Sequence, residues 1–367
     1  MSGVGRVAGK CPDRYGREAR IDPVCHTLFG AALAGSGLAK RTALGASALV
    51  VGANLPDLDV LAYFAGPAAD LEWRRGWSHG VLALALFPFL LTGSLLLFHR
   101  ASKRWRRWRA PSVAVPKQLL LLSFIAILSH PVLDTLNTYG VRWLMPFSGK
   151  WFYGDTLFIV DPWVWLTLAL GLYYRARRTR ARRADAEVAR PVRLALAGVT
   201  VYAGAMALSG LEARRIVTHE VAAASGAMVH DAMAGPVPLN PLVRTFVLEE
   251  EEHYRVGTFR WLDQPHVDVS QILTFPRGRP IHPASDLAAA STLGRRFLGW
   301  ARYPTFQIEE LGANRFLVHL VDLRYARGPG ERFGTVSIPV SPPTAAALPT
   351  PASRSASLGR AGAGESP

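Results

Sequence analysis

The sequence predicts a mainly α fold, in which a polytopic helical membrane domain is followed by a small β-rich extramembrane domain. Half of the 367 residues are hydrophobic and only 19% are charged, and the mean hydropathy is +0.15. This composition is typical of a membrane protein, and it excludes disorder over most of the chain because ample apolar surface is available for burial. The two cysteines are too few for a disulfide framework.

Apolar runs predict the helices of the membrane domain, because four of them approach the roughly 20 residues that a spanning helix requires. These runs are residues 81–98, 119–136, 157–174 and 194–211. Two runs of small apolar residues within residues 27–53 flank Lys40 and Arg41, and they predict a short helical hairpin. A buried soluble helical bundle is the alternative, which the bases and aromatic residues beside the runs disfavour.

The formal net charge of +15 is concentrated between the predicted helices. Residues 99–117 contribute +7, residues 175–193 contribute +6, and residues 1–22 contribute +2. Basic loops next to apolar spans lie on the cytoplasmic side of a membrane. The pattern therefore predicts a multi-pass protein of a bacterial-type inner membrane, with its C-terminal domain on the non-cytoplasmic side. The bases of the N-terminal tail conflict with this orientation, since they would also lie outside.

The basic segments could alternatively form a nucleic-acid-binding arm, because Trp105 and Trp108 are interleaved among the bases of the first one. A soluble nucleic-acid-binding protein would show the basicity without the high apolarity. The basic segments also lie between predicted spans, so they are expected to orient the protein. No nucleic-acid partner is predicted.

Composition divides the chain into four segments. They are an N-terminal tail, residues 1–22; the helical membrane domain, residues 23–212; a β-rich soluble domain, residues 213–345; and a disordered tail, residues 346–367, rich in Pro, Ala, Ser and Gly. Within the third segment, alternation of apolar and polar residues predicts strands at residues 244–261 and 315–325.

Six ionisable residues lie in or beside the predicted spans, where such groups are costly and usually functional. They are His26, Asp57, Asp59, His79, His130 and Asp134. His130 and Asp134 are four residues apart, so they share one face of a helix. Under the predicted topology all six fall toward one side of the membrane. Each residue alone also has an ordinary structural interpretation, as a helix cap, a turn residue or an ion-pair partner.

Imidazole and carboxylate together favour a transition metal over Mg²⁺ or Ca²⁺. The set predicts a site for one or two divalent ions, with Zn²⁺ as the first choice and Mn²⁺ or Fe²⁺ as alternatives. Such a site supports metal-assisted hydrolysis of a phosphate or carboxylate ester.

Several spaced motifs carry a family resemblance over about residues 21–175. They are DPVCHTLFGAALA, NLPDLD, RRGWSHG, HPVLDTLNTYGVRWLMPFS and WFYGDTLFIVDP. In this order they resemble the YdjM-type family of membrane-bound metal-dependent hydrolases, whose activity is inferred and whose members have been described as LexA-binding inner-membrane proteins. The resemblance implies a helical membrane protein with the six residues above as metal ligands. A distant relation to zinc phospholipase C favours phosphoesters.

Further polar positions match the family pattern at Asn137, Asp155 and Asp161. Asn137 is expected to bind substrate or orient a ligand, whereas Asp161 before Pro162 fits a helix start as well as a site role. Cys25 stands where the family usually has Thr, and the chain has 21 residues before the first motif.

The leading functional hypothesis is a membrane-embedded metal-dependent hydrolase that acts on a phosphoester or lipid-linked substrate. Asp59 or Asp155 would serve as general base, while Arg74 or Arg75 would neutralise a phosphate or contact lipid headgroups. Membrane lipid and a small-molecule or lipid substrate are the expected partners, and no oligomeric state is predicted. The alternative is a non-enzymatic membrane scaffold or regulator with a structural metal site. A transporter is disfavoured because the polar groups gather at one face.

Overall fold

The structure of the protein is a computed structural model that describes three stretches of chain: residues 23–104, 113–331 and 333–342. Within them, a helical N-terminal region is followed by a β-sheet C-terminal domain, as predicted. The predicted tails, residues 1–22 and 346–367, lie outside the described residues, and so does the central part of the first basic segment.

Seven α-helices build the N-terminal region of the described chain. They are α1 (Pro23–Gly35), α2 (Gly45–Gly52), α3 (Pro67–Trp73), α4 (Val81–Arg104), α5 (Pro116–Thr135), α6 (Pro162–Arg180) and α7 (Asp185–Ser225). Two 3-10 helices, Leu38–Arg41 and Leu55–Ala65, follow α1 and α2. Proline is the first residue of α1, α3, α5 and α6. Proline has no backbone N–H, and at the first position of a helix an N–H would have no hydrogen-bond partner within the helix.

Three helices within the described residues, α4, α5 and α7, are long and apolar enough to cross a membrane. A fourth span results if α2 and the 3-10 helix Leu55–Ala65, bent by 40° at their junction, are counted as one. Three of the predicted apolar runs therefore lie in candidate spans. The remaining run, residues 157–174, does not: its helix starts only at Pro162, and the arginines that begin at Arg175 shorten its apolar part. Instead α6 packs against α1 and α7.

The described helix ends that flank the basic segments lie at one end of the bundle, called here the basic end. Lys40, in the turn of the predicted α1–α2 hairpin, forms an ion pair with Asp185 at the start of α7. At the same end, Arg175 Nε donates to the carbonyl oxygen of Gly35 at 3.2 Å, and Arg193 Nε donates to that of Ser36 at 2.9 Å. The opposite end holds the start of α1, the end of α2, the start of α4 and the end of α5.

Two antiparallel sheets and two short helices form the described part of the C-terminal domain. The first sheet has the order β1 (Asp231–Pro236), β2 (Val243–Glu249), β3 (His253–Arg260) and β4 (Leu273–Pro276), and the second has β5 (Pro304–Gly312), β6 (Arg315–Asp322) and β7 (Thr335–Val340). The predicted strands appear as β2, β3 and β6. The helices α8 (Pro283–Ala290) and α9 (Thr292–Trp300) were not predicted.

Helix α7 joins the membrane region to the first sheet without a break, so the predicted boundary at residue 212 falls inside a helix. Its last turns bury Ala213 and Val217 against Phe246 and Phe259 of the sheet. At about 1.5 Å per residue the helix is about 60 Å long, roughly twice the 30 Å of a bilayer's hydrocarbon core. A large part of α7 therefore projects from the membrane.

A second attachment joins the loop after α5 to the second sheet. Tyr139 of this loop lies in the same buried core as Phe297 and Trp300. The buried guanidinium of Arg324, which is paired with Asp322, donates to the carbonyl oxygen of Thr138 in the loop at 2.8 Å. These contacts fix the C-terminal domain over the end of the bundle that is opposite to the basic end.

Buried polar contacts reinforce this attachment. Arg302 bridges Asp155 of the loop, at 2.8 Å, and Asp231 of β1, at 3.0 Å. Burial alone would raise the pKa of Asp231, but Arg302 and the Tyr303 hydroxyl outweigh it and hold the pKa below its ordinary value. Asp231 therefore stays ionised and paired at neutral pH.

Candidate metal centre

The six predicted ligands come together at the end of the bundle that is opposite to the basic end. His26 lies in the first turn of α1, and Asp57 and Asp59 lie in the 3-10 helix after α2. His79 immediately precedes α4, while His130 and Asp134 face the same way from the last turns of α5. Because neighbouring helices run in opposite directions, these positions meet at one level of the bundle.

Two overlapping groups of these residues have the geometry of metal ligands. His26, His130 and Asp134 form one group, and Asp57, His79 and His130 form the other, each with its ligand atoms within 4.8 Å of one another. His130 belongs to both groups. The side chains are almost completely buried except that of Asp57, which is 18% exposed.

Hydrogen bonding fixes the imidazoles so that unprotonated nitrogens face the centre. His130 Nδ1 lies 2.7 Å from the carbonyl oxygen of Ala53, and because a carbonyl can only accept, this nitrogen carries the proton. His79 Nδ1 lies 3.4 Å from Asp59 Oδ2 and 3.0 Å from Ser78 Oγ, which can both accept its proton. The Nε2 atoms of His79 and His130 then face each other at 3.1 Å. Two lone pairs at this distance repel, and either a metal ion between them or a proton on one of the two rings removes the repulsion.

The charges of the centre suit a cation. With neutral imidazoles, the three carboxylates of Asp57, Asp59 and Asp134 and the one guanidinium of Arg75 leave a net charge of −2. Burial of such an excess is costly unless the charge is compensated. Oδ2 of Asp57 and Oδ1 of Asp59 are buried without a hydrogen-bond donor. The residues present therefore fit a divalent ion, and their nitrogen and oxygen atoms suit Zn²⁺, Mn²⁺ or Fe²⁺.

Arg75 locks the carboxylates in place. Its backbone adopts the left-handed region, with φ at 49°, and its N–H donates to Asp59 Oδ2 at 2.6 Å. The guanidinium lies 3.1 Å from Asp134 Oδ1 and donates to Asn137 Oδ1 at 2.8 Å. Left-handed geometry is unfavourable for a side chain of this size, so the surrounding contacts must maintain it.

Comparison with known proteins identifies the family. The model of the YdjM inner membrane protein family matches residues 21–213, which is more than half of the chain. The chain belongs to the YdjM inner membrane protein family. The match covers every residue of the centre and all seven helices of the described N-terminal region, apart from the last turns of α7.

A relative of this YdjM family member is the uncharacterized protein YfhP of Bacillus subtilis (strain 168), which is 23% identical over 129 residues. The similarity covers 35% of this chain and 36% of YfhP, so only about a third of the relative's length is matched. No solved structure matches the chain.

Asp59 and Asp155 were predicted as catalytic residues, and Asp59 also as a ligand. In this YdjM protein neither belongs to the two ligand groups. Asp59 lies behind His79 and orients it. Asp155 is instead paired with Arg302 at the attachment of the C-terminal domain, which neutralises its carboxylate and makes it a poor general base.

The remaining predicted site residues lie outside the two ligand groups of the YdjM protein. Asp161 is the N-cap of α6, since its Oδ1 accepts from the backbone of Trp163 at 3.0 Å and of Val164 at 3.2 Å. Burial raises the pKa of its carboxyl above the ordinary value. This contact supports the helix-start interpretation over the site role. Asn137 orients Arg75, as its oxygen also accepts from the backbone N–H of Tyr139 at 2.9 Å.

Arg74 is buried and bound to Asp70 at 2.7 Å. Arg75 is buried as well, so contact of either guanidinium with a lipid headgroup stays a prediction. Asp70 and Tyr139 were missed by sequence reasoning. Burial raises the pKa of Tyr139 to about 12, so its phenol remains neutral beside the two guanidinium groups. The sequence feature that could have indicated these charged neighbours was the pair Arg74 and Arg75 directly before GWSH.

Proposed function

We propose that this YdjM protein is a membrane-embedded metal-dependent hydrolase that acts on a phosphoester or lipid-linked substrate. The observation that carries the proposal is the buried set of three imidazoles and three carboxylates, in which Nε2 of His79 and Nε2 of His130 lie only 3.1 Å apart. Structural side chains alone do not need such an arrangement. In the proposed arrangement, the centre at the end of the helices would lie near the level of lipid phosphates.

The proposed ligands are His26, His79, His130, Asp57 and Asp134. A divalent ion held there would supply Lewis-acid activation of water and of the ester oxygen. Asp57, the least buried ligand, marks the side from which a substrate would approach. Arg75 fixes Asp134 through its ion pair.

Asp59 is the carboxylate best placed to accept a proton. Its Oδ1 is buried without a donor, while its Oδ2 is already held by the backbone of Arg75 and faces His79. A carboxylate held by one oxygen keeps its orientation and can still receive a proton at the other. Asp59 would thus position His79 and act as general base.

The basic segments indicate on which side of the membrane the proposed centre would lie. The centre and the C-terminal domain lie opposite to the basic end, and basic segments remain in the cytoplasm. Both would therefore lie on the non-cytoplasmic side of the inner membrane. Alkaline phosphatase fused after the last described strand should be active, and a fluorescent signal from a cytoplasm-only reporter at that position would contradict the orientation.

Depth of burial favours a second candidate, a scaffold or regulator with a structural ion. His79 and His130 are 0% exposed, and Asp134 is 1% exposed. Structural metal sites are closed, whereas catalytic sites keep an open position. The two candidates differ in turnover, not in metal binding.

Hydrolysis of a phosphoester panel tests the enzyme directly. The purified protein with Zn²⁺ or Mn²⁺ is expected to release product from phospholipids or lipid-linked phosphates, and a chelator should abolish the activity. Asp59→Asn should lower kcat by about 100-fold or more, as loss of a general base does, whereas Asp263→Asn, an exposed carboxylate of the C-terminal domain, should not. Bound metal without turnover on any member of the panel would instead support the structural role.

A further inference from the structure

Two adjoining cavities lie between α6 and α7 at the basic end, far along the bundle from the metal centre. The outer cavity has a volume of about 520 Å³ and is lined mainly by arginines, with Tyr174 at its edge. The inner cavity has a volume of about 450 Å³ and is lined mainly by apolar side chains. Tyr174, Arg178 and Arg190 line both, so the two form one continuous groove.

The outer part of the groove carries an excess of positive charge. Arg177, Arg178, Arg183 and Arg190 line it, with Glu187 as the acid among its lining residues. Glu187 lies 4.0 Å from Arg183, and Arg178 donates to its backbone oxygen at 2.8 Å. The nearby Asp185 is already paired with Lys40. The outer part therefore presents guanidinium groups suited to a phosphate.

The inner part is built to accept an apolar chain. Helices α6 and α7 meet at Gly171, where a side chain would come within 2.6 Å of Ala195 Cβ. Leu170 and Leu194 are exposed beside this contact and form the walls. The wall from Arg178 to Thr167 rises about 16 Å along the helix, which matches the roughly 15 Å of half a hydrocarbon core.

We propose that the α6–α7 groove binds one anionic phospholipid of the cytoplasmic leaflet. The phosphate of the lipid lies among Arg177, Arg178 and Arg190, and an acyl chain lies along the apolar wall. Basic pockets between membrane helices on the cytoplasmic side bind anionic lipid headgroups by this combination of charge and apolar surface. The site is independent of the metal centre and requires no activity of the protein.

Native mass spectrometry of the detergent-purified full chain tests the proposal. Dioleoyl-phosphatidylglycerol is expected to bind at one molecule per chain and at least tenfold more tightly than dioleoyl-phosphatidylcholine. The double variant Arg178→Gln/Arg190→Gln should weaken this binding about 10- to 30-fold, since both guanidinium groups line the groove and would lose their charge-assisted hydrogen bonds to the phosphate. The matched control Arg180→Gln/Arg182→Gln removes the same charge from the same segment but lines neither cavity, and it should change affinity less than about twofold.

Two further probes separate a lipid site from a site for a soluble anion. Dihexanoyl-phosphatidylglycerol should bind much more weakly than the dioleoyl lipid, and inorganic phosphate should not displace the dioleoyl lipid. Displacement by phosphate, equal binding of both chain lengths, or an equal loss of affinity in the control variant would overturn the proposal. Equal affinity for phosphatidylcholine would do the same.

Discussion

Replacing His130 and Asp134 together by alanine is expected to abolish metal binding. The wild-type protein should purify with near-stoichiometric transition metal. His130 belongs to both ligand groups and Asp134 to one, so their loss leaves neither group complete. Elemental analysis of wild type and variant, purified in parallel in detergent, measures the effect.

A graded variant distinguishes loss of metal from loss of folding. Asp59→Asn keeps all proposed ligands but weakens the orientation of His79, so it should lower metal affinity about 10- to 100-fold without preventing saturation. The matched control is His282→Ala/Asp286→Ala, which removes a histidine and an aspartate at the same spacing, from the N-cap and the first turn of α8. Its metal content should equal that of wild type. Unchanged metal in the His130/Asp134 variant, or none in the wild type, would end the metal hypothesis.

Replacing Arg324 by methionine is expected to destabilise the C-terminal domain by about 3–5 kcal/mol, because it leaves the carboxylate of Asp322 buried without its counter-ion. Both side chains of this ion pair are 0% exposed. Arg324 also donates to the carbonyl oxygens of Thr138, at 2.8 Å, and Trp300, at 3.1 Å. Thermal or denaturant unfolding followed by circular dichroism measures the loss.

The companion variants show whether burial causes this effect. Arg315→Met at the start of β6 removes an exposed guanidinium and should change stability by less than about 0.5 kcal/mol. The double variant Arg324→Met/Asp322→Asn should recover part of the loss, since no unpaired charge remains. Equal stability of the Arg324 and Arg315 variants would show that the buried pair contributes nothing.

Much of the membrane domain could be predicted from the sequence. Charged residues are costly inside a bilayer, so helices that cross it appear in the sequence as long uncharged apolar runs. The runs that became α4, α5 and α7 are of this kind. Helix α6 was placed less well, since its apolar run is shortened by arginines. The helices α8 and α9 are short and lie within a β-rich segment, so no comparable run marks them. The helical part of the chain beyond residue 212 carries charged residues among its apolar ones, so no uncharged run marks the continuation of α7.

The members of the candidate centre could also be predicted, because ionisable groups in apolar surroundings are rare enough to stand out. Their individual roles could not. Whether Asp155 serves the centre depends on Arg302, which lies 147 residues away and is brought to it only by folding. Asp57 and Asp59 are two residues apart and have the same side chain. Their roles differ because Asp59, unlike Asp57, is held by the backbone N–H of Arg75 and faces the ring of His79. The sequence does not show these contacts.

The uninterrupted α7 has a mechanical consequence. The C-terminal domain is anchored twice, by the end of this helix and by the loop after α5, and the loop carries Asn137, which orients Arg75 at the centre. Each residue inserted into a helix rotates the chain beyond it by about 100°. The number of residues in α7 therefore determines the direction in which the first sheet faces relative to the bundle. With the present length, the sheet and the loop after α5 lie on the same side. The length of α7 therefore affects the position of the loop that carries Asn137, although α7 contributes none of the proposed ligands.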